Sequence, residues 1–396
     1  MGLYFAIQLV VNTANGGAAT FLLPLRLQDL DPATKVGHYG LVGTASAVCA
    51  IIAQPLWGAL SDGTRSRWGR RAPWIVGGAL GVSACIALFA VTENFALIVA
   101  TACGVQIFYS MFAAPLTAIV ADRTPVERRG VMSALGGAGA YMGVLGGVVL
   151  ASLFAARTSL GFAFFAVFCA VLAGPLGLAL RRDSRLLPKP RSDRRVRSVL
   201  RSFWVSPRRH PDFAWAFAGR LVLITGFWGL YSFLLYLVQD YCGLSQEQAA
   251  RAYPLLSTVL LVSILAAIVP GGWISDRLGR RKVVIVAASL LIGLSVVAPL
   301  ASPTVPALAL SLVLVGLGFG AYLSVGQALM TQVLPAAAQA GTQLGILNIA
   351  QAGGQVLAPG LAALVISAAG YPGLFVFAGV SALAAIGLIL PIRGVR

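Results

Sequence analysis

Residues 57–74 read WGALSDGTRSRWGRRAPW, and this stretch separates two long apolar runs. A shorter copy, GGWISDRLGRR, lies at residues 271–281 between two other apolar runs. In both copies a glycine precedes an aspartate by four residues, Gly58 before Asp62 and Gly272 before Asp276, and a Gly-Arg-Arg triplet follows the aspartate. Two such loops about 214 residues apart predict a duplicated membrane protein.

The composition places most of the chain in lipid. Hydrophobic residues make up 58% of the 396 residues, charged residues only 10%, and the mean hydropathy is +0.87. Soluble domains are about a quarter charged, and a membrane-spanning helix needs about 20 apolar residues. The sequence therefore predicts an all-α integral membrane protein with 12 transmembrane helices. Their approximate ranges are 3–25, 38–60, 73–91, 95–120, 131–154, 160–180, 213–238, 248–271, 283–300, 305–330, 341–367 and 371–392.

The formal net charge of +17 is distributed asymmetrically along the chain. Loops after even-numbered predicted helices, together with the C-terminus, hold 24 of the 29 lysines and arginines. This is the positive-inside bias, and it predicts a multi-pass protein of the cell membrane with both termini and both Gly-Arg-Arg loops in the cytoplasm. The charge thus indicates topology and contact with membrane lipid, and it argues against nucleic-acid binding.

One long polar segment divides the chain. Residues 181–211 contain 11 basic residues against two aspartates, and four prolines interrupt them. This pattern is typical of a linker. We expect two pseudo-symmetric six-helix bundles, 1–180 and 212–396, joined by a basic cytoplasmic linker at 181–211.

Polar side chains recur on several predicted helices. Gln8, Asn12 and Asn15 share one face at spacing i, i+4, i+7, and amides in hydrocarbon are costly unless they are paired. Two interpretations stay open, a solute cavity and ordinary hydrogen bonding between helices. The candidate cavity residues are Gln8, Asn12, Asn15, Gln106, Tyr109, Arg220, Trp228, Tyr231, Tyr322, Gln327, Asn348, Gln351 and Gln355.

Arg220 is the basic residue that falls inside a predicted span. An ionisable residue at depth favours a functional role. The alternative is an arginine whose long side chain reaches the nearby cytoplasmic surface. Glycines also cluster in predicted helix 5, where Gly139 and Gly143 form a GxxxG pattern that predicts close helix packing.

The two six-helix halves, the basic linker and the paired GxxxD…GRR loops closely resemble the major facilitator superfamily over essentially the whole chain. The first loop, SDGTRSRWGRRAPW, is similar to the branch of glycoside–pentoside–hexuronide symporters and sucrose carriers. The resemblance implies a secondary transporter that alternates between inward- and outward-open states. The solute site is then expected near mid-membrane between the repeats.

The resemblance also implies that Asp62 helps to lock the cytoplasmic side by pairing with nearby arginines and a helix N-terminus. Arg123 and Arg129, in the basic loop at 121–130, are candidate partners. The loop at 331–341 carries no charge, so we expect the stronger ionic latch in the N-terminal half. The candidate latch residues are Gly58, Asp62, Gly69, Arg70, Arg71, Asp122, Arg123, Arg129, Gly272, Asp276, Arg277, Gly279, Arg280 and Arg281.

Several functions remain in competition. We expect a secondary active or facilitative transporter, symporter or antiporter, for a small polar solute such as a sugar or glycoside. An efflux carrier for hydrophobic or amphipathic compounds is the alternative, and a channel is a weaker one. All 12 acids lie at predicted helix ends or in loops, which puts in doubt coupling through a carboxylate within the bundle, although H+ and Na+ remain candidate coupling ions.

The sequence argues against an enzyme or an ATP-driven pump. None of the three lysines follows a glycine, so the chain has no P-loop GK[ST] motif. His38 and His210 are predicted on opposite sides of the membrane. We therefore expect no catalytic residues, no metal and no cofactor, and a monomeric protein.

Overall fold

The computed structural model describes residues 2–123, 129–180, 211–332 and 340–392. Within these ranges the structure describes the helix but not the side chains of residues 121–123, 129–131, 133–134, 327–328, 330–332, 340–349 and 352. No β-strand occurs within these described ranges. Most of the predicted linker at 181–211 lies outside the described residues, so the predicted domain boundaries stay a prediction.

The described ranges contain twelve long helices. In chain order they are α1 Gly2–Leu30, α2 Lys35–Gly63, α3 Ala72–Val91, α4 Phe95–Arg123, α5 Arg129–Ser152, α6 Thr158–Ala179, α7 Pro211–Ser232, α8 Gln246–Leu278, α9 Arg281–Ala301, α10 Val305–Gln332, α11 340–369 and α12 371–389. The last two helices follow each other without a loop and are separated at Gly370, whose φ of 66° and ψ of −171° are not helical. A glycine there is expected, because a positive φ is strained for other residues.

Within the described residues, length and composition identify eleven stretches that can cross a membrane, the last of which runs through the break at Gly370. Because that stretch contains two helices, the twelve helices predicted from the sequence are all present. The all-α membrane architecture is confirmed.

The first helix of each half carries a similar irregularity. In α1 a π-helical turn occupies Gly17–Leu22. After α7 a short helix, Leu234–Tyr236, leads into a π-helical turn at Leu237–Tyr241. The sequence predicted one helix over 213–238, whereas α7 ends at Ser232 and the backbone departs from helical geometry at Phe233.

The described residues form two compact units. The N-terminal unit contains α1 to α6 together with Gln246–Pro254 at the start of α8, and the C-terminal unit contains α7 and the rest of the chain from Leu255. Within the N-terminal unit, the Tyr253 hydroxyl donates to the Thr20 carbonyl oxygen over 3.3 Å.

Glycines bring two helices of the N-terminal unit into backbone contact. A methyl group on Gly143 of α5 would lie 2.6 Å from the Leu9 carbonyl oxygen of α1, and one on Gly147 would lie 2.2 Å from the Thr13 carbonyl oxygen. Such approaches require the absence of a side chain. The close packing predicted from the glycines of helix 5 is confirmed.

The C-terminal unit repeats this arrangement. A methyl group on Gly354 of α11 would meet the Ile224 side chain at 2.7 Å and the Leu221 carbonyl oxygen of α7 at 2.9 Å. The first helix of each half therefore packs on the fifth through small residues. This pairing positions the polar faces of α1 and α7.

Candidate functional site

In the first loop, Asp62 pairs with an arginine of the same loop. Arg71, which precedes α3, donates from Nη1 to the Ser61 hydroxyl over 2.6 Å and pairs through Nη2 with the Asp62 carboxylate at 2.6 Å. The Arg71 side chain is 7% exposed, whereas that of Asp62 is 56% exposed. The Asp62 carboxylate therefore meets a charge-assisted partner at the N-terminus of α3, where the helix dipole also favours an anion.

A tight turn makes this contact possible. Gly69 has a φ of 97° and donates from its backbone N–H to the Ser66 carbonyl oxygen over 2.9 Å. On the far side of the turn, the Trp74 indole N–H donates to the Thr64 hydroxyl over 2.8 Å. The four residues by which this loop exceeds the second one contribute to this closed turn.

The second loop has a different geometry. Gly279 has a φ of 60° directly after α8 and donates to the Ser275 carbonyl oxygen over 3.0 Å, which ends the helix with a left-handed glycine. The Arg277 guanidinium lies 5.2 Å from the ring centroid of Trp273. Asp276 is exposed and has no ion pair among the described residues.

The remaining candidate latch residues differ in what the structure describes. Arg70 is half-buried, and both Arg280 and Arg281 lie at the junction between α8 and α9. Asp122 and Arg123 close α4, and Arg129 opens α5, but the environment of these three side chains lies outside the described part. The predicted pairing of Asp62 with Arg123 or Arg129 therefore stays a prediction.

Three predicted cavity residues meet within the N-terminal unit. The Asn12 side-chain amide donates to the Gln8 backbone carbonyl over 2.8 Å and to the Gln8 side-chain oxygen over 3.1 Å. The Tyr109 hydroxyl of α4 donates to Asn12 Oδ1 over 2.9 Å. Gln8, Asn12 and Tyr109 form what we term the amide cluster, which joins α1 to α4.

Polar side chains in and beside the amide cluster include both bonded and available atoms. Asn12 is 4% exposed and bonded, as interhelical hydrogen bonding predicts. Asn15, one turn further along α1, has a buried Oδ1 with no hydrogen-bond partner among the described residues. Gln106 lies one turn before Tyr109 on α4 and is half-buried. Polar side chains beside the cluster can therefore form hydrogen bonds in addition to those within it.

In the C-terminal unit, Arg220 of α7 is 6% exposed and donates from Nη2 to the side-chain oxygen of Gln351 on α11. A guanidinium that reached the membrane surface would instead be exposed, so surface anchoring does not describe this arrangement. Gln355 is half-buried one turn beyond Gln351. Tyr322 of α10 is 2% exposed and lies within electrostatic range of the Arg220 charge.

Aromatic rings extend from this cation along α7. Phe227 stacks on Phe319 of α10 with ring centroids 3.7 Å apart and planes 3° from parallel. Trp228 meets Tyr231 edge to face at 5.6 Å. We term Arg220, Gln351, Tyr322 and these four rings the cation–aromatic cluster. Phe227 and Phe319 were not predicted as site residues, since an apolar aromatic in an apolar helix carries no distinguishing signal.

Two predicted cavity residues cannot be placed in either cluster. Gln327 lies in α10 and Asn348 in α11, but the environment of their side chains is outside the described part of the chain. Their roles stay predictions.

Comparisons with known proteins agree with this architecture. The family model described as Major Facilitator Superfamily matches residues 5–269 and 249–395. No curated protein sequence matches the chain.

Solved transporter structures share the fold at low sequence identity. A bacterial homologue of the human lysosomal transporter Spinster, solved inward-facing and unoccupied, is 15% identical with a TM-score of 0.73, over 98% of this chain and 94% of the other. The human organic anion transporter MFSD10 (TETRAN) is 22% identical with a TM-score of 0.68, over 98% of both chains. A POT family transporter in complex with a thioalcohol-conjugated peptide is 15% identical with a TM-score of 0.74, over 98% and 95%.

The family match covers nearly the whole chain and agrees with the repeated six-helix halves and the paired loops. Family members are transporters of small-molecule solutes, not enzymes. The branch suggested by the first loop is not resolved by these matches. The chain belongs to the major facilitator superfamily and is a multi-pass membrane transporter that works by alternating access.

Proposed function

We propose that this transporter carries a small polar solute, a class that includes sugars and glycosides, across the cell membrane, with both termini in the cytoplasm. The observation that carries the proposal is the amide cluster, in which Tyr109 and Gln8 bond Asn12. One turn along α1 the buried Asn15 Oδ1 has no hydrogen-bond partner among the described residues. Unmet hydrogen-bonding capacity in an apolar helix favours a polar ligand, because it is otherwise costly.

An amphipathic or hydrophobic substrate is the second candidate, with export as the direction. The cation–aromatic cluster favours it, since four rings on α7 and α10 provide aromatic surface that begins about 10 Å along the α7 axis from Arg220. MFSD10, which shares this fold, is by name an organic anion transporter.

The two Gly-Arg-Arg loops are proposed to control the conformational change. Asp62 holds Arg71 at the N-terminus of α3 in the first loop. Asp276 has no ion pair among the described residues of the second loop. Support for an asymmetric latch comes from this difference and from the uncharged loop at 331–341.

Solute counterflow in proteoliposomes tests the proposal. Purified protein is loaded with each compound of a panel of sugars, glycosides and amphipathic drugs, and entry of the labelled compound is followed with and without pH and sodium gradients. A carrier gives transient accumulation that saturates with concentration. Accumulation of a sugar supports the first candidate, and accumulation of drugs alone supports the second. No accumulation of any compound contradicts both, and a flux that never saturates indicates a channel.

A further inference from the structure

The cation–aromatic cluster is charged at one end and aromatic at the other, along one face of α7. Arg220, Phe227 and Tyr231 are spaced i, i+7, i+11 and therefore share that face. At 1.5 Å per residue, Phe227 lies about 10 Å along the axis from Arg220. The charged end and the aromatic end are thus separated by about the length of a small aromatic molecule.

The charged end presents groups suited to a carboxylate. Arg220 already donates to a carbonyl-type oxygen, that of Gln351, which stands where one oxygen of a carboxylate would bind. A guanidinium binds carboxylates with matched, paired hydrogen bonds. One guanidinium is enough for a monoanion, whereas a phosphate dianion would call for further cations.

A second and independent observation comes from Tyr322. Its hydroxyl is buried and has no hydrogen-bond partner among the described residues. The side chain is 2% exposed and lies within electrostatic range of Arg220. A buried donor without an acceptor is costly, and an anion held by Arg220 would supply the missing acceptor.

The aromatic end presents stacked surface. The ring of Phe227 lies parallel to that of Phe319 at 3.7 Å, and Phe319 is in turn 6.3 Å from Tyr322. Rings therefore connect the orphan hydroxyl to the apolar end of the face. Planar apolar groups are stabilised by offset and edge contacts with aromatic rings, which the edges of this face-to-face stack can supply.

We infer that the cation–aromatic cluster is a binding site for a monocarboxylate that carries an aromatic group. Arg220 and the Tyr322 hydroxyl bind the carboxylate, with Gln351 released as its oxygen is replaced, and the rings of α7 and α10 bind the aromatic body. This inference rests on the proposed transport function and names the substrate class of its C-terminal site.

Equilibrium binding of matched compounds tests it. Purified protein in detergent is titrated with five aromatic monocarboxylates of different length, including indole-3-acetate, and with the uncharged amide of each. At least one carboxylate is expected to bind about tenfold or more tightly than its amide, because charge-assisted hydrogen bonds are stronger than neutral ones. If no carboxylate is preferred over its amide, the inference is wrong.

Variants test whether the preference for the carboxylate over its amide comes from the cation–aromatic cluster. Arg220→Gln is expected to remove the preference for the carboxylate, and Tyr322→Phe to weaken carboxylate binding severalfold without affecting the amide. Arg251→Gln is the matched control, because Arg251 is exposed on α8 and paired with Glu247. A preference that survives in Arg220→Gln overturns the assignment.

A further variant covers the case in which Arg220→Gln fails to fold. Gln351→Glu places an internal carboxylate beside Arg220, so it should exclude the ligand and lower its affinity about tenfold or more while thermal stability is kept. Unchanged affinity in this variant contradicts the inference. If sugars show counterflow and no carboxylate binds, this inference fails and the proposed function stands. If no compound shows counterflow, the proposed function fails. The binding experiment alone then tests whether the cation–aromatic cluster binds a carboxylate.

Discussion

Arg71 and Asp62 are joined across the first loop by a 2.6 Å ion pair in which the guanidinium is buried and the carboxylate is exposed. The Ser61 hydroxyl accepts a second bond from the same guanidinium. An ion pair whose carboxylate is open to solvent contributes little to folding, on the order of 1 kcal/mol. The pair lies between the end of α2 and the start of α3. This position suits a contact that changes during transport better than a contact that stabilises the fold.

Neutralising Asp62 is expected to slow transport more than neutralising Asp276. Asp62→Asn keeps the shape but loses the charge that faces Arg71, whereas Asp276 has no ion pair among the described residues. We expect a fall of about threefold to tenfold in the initial rate for Asp62→Asn, since a charge-assisted bond is about twice as strong as a neutral one. Asp276→Asn is the matched control, and initial counterflow rates with membrane insertion measured in parallel give the comparison. Equal effects in the two variants would contradict the asymmetric latch.

Gly58→Ala tests whether the repeated glycine serves a second conformation. In this structure an added methyl group at Gly58 meets no atom within 4 Å among the described residues. Thermal stability is therefore expected to stay unchanged or to rise slightly, because alanine is the better helix former. The counterflow rate is expected to fall, since the glycine recurs at the same offset in both loops. A full rate in a stable variant would remove Gly58 from the latch.

Two neighbouring glycines on α5 provide a matched test of the packing against α1. A methyl group at Gly147 would lie 2.2 Å from the Thr13 carbonyl oxygen, whereas one at Gly146 meets nothing within 4 Å among the described residues. Gly147→Ala is expected to destabilise the protein by about 1–3 kcal/mol through overpacking. Gly146→Ala should be neutral or slightly stabilising. Melting temperatures in detergent make the comparison, and equal values would show that α1 and α5 are less closely packed.

Gly279→Ala tests the end of α8. The φ of 60° at Gly279 is a left-handed conformation that costs other residues roughly 1–2 kcal/mol. We expect a loss of stability of about that size, measured as a lower melting temperature. Gly272→Ala is the control, because its added methyl group would meet only the Ser324 side chain, at 4.0 Å. A loss as large in the control would assign the effect to something other than the backbone angle.

The sequence predicted helices better than it predicted contacts. Apolar runs of the required length locate α1 to α12, and even the break near Gly370 follows from a glycine and proline between two runs. The π-helical turns at Gly17–Leu22 and Leu237–Tyr241 were missed, because an added residue per turn leaves the composition of the run unchanged.

The sequence predicted the candidate site as polar faces of single helices, whereas the structure shows pairs of residues on different helices. Asn12 and Tyr109, like Arg220 and Gln351, were predicted from separate helices. Residue spacing does not show that a side chain of α4 reaches α1, or that α7 packs on α11. Arg71 was predicted as a latch residue but not as the partner of Asp62, for a similar reason. The turn at Gly69 returns Arg71 to the aspartate, and a turn of this kind leaves little trace in residue spacing.

The most direct test of the central claim, that the amide cluster binds the solute, is the half-saturation concentration for counterflow in Tyr109→Phe. This variant removes the hydroxyl that donates to Asn12 and leaves the ring in place. Tyr141→Phe on exposed α5 surface is the control. We predict a severalfold rise in the half-saturation concentration for Tyr109→Phe, with wild-type stability, and wild-type behaviour for Tyr141→Phe. Wild-type affinity in both variants would contradict the assignment of the amide cluster to solute binding.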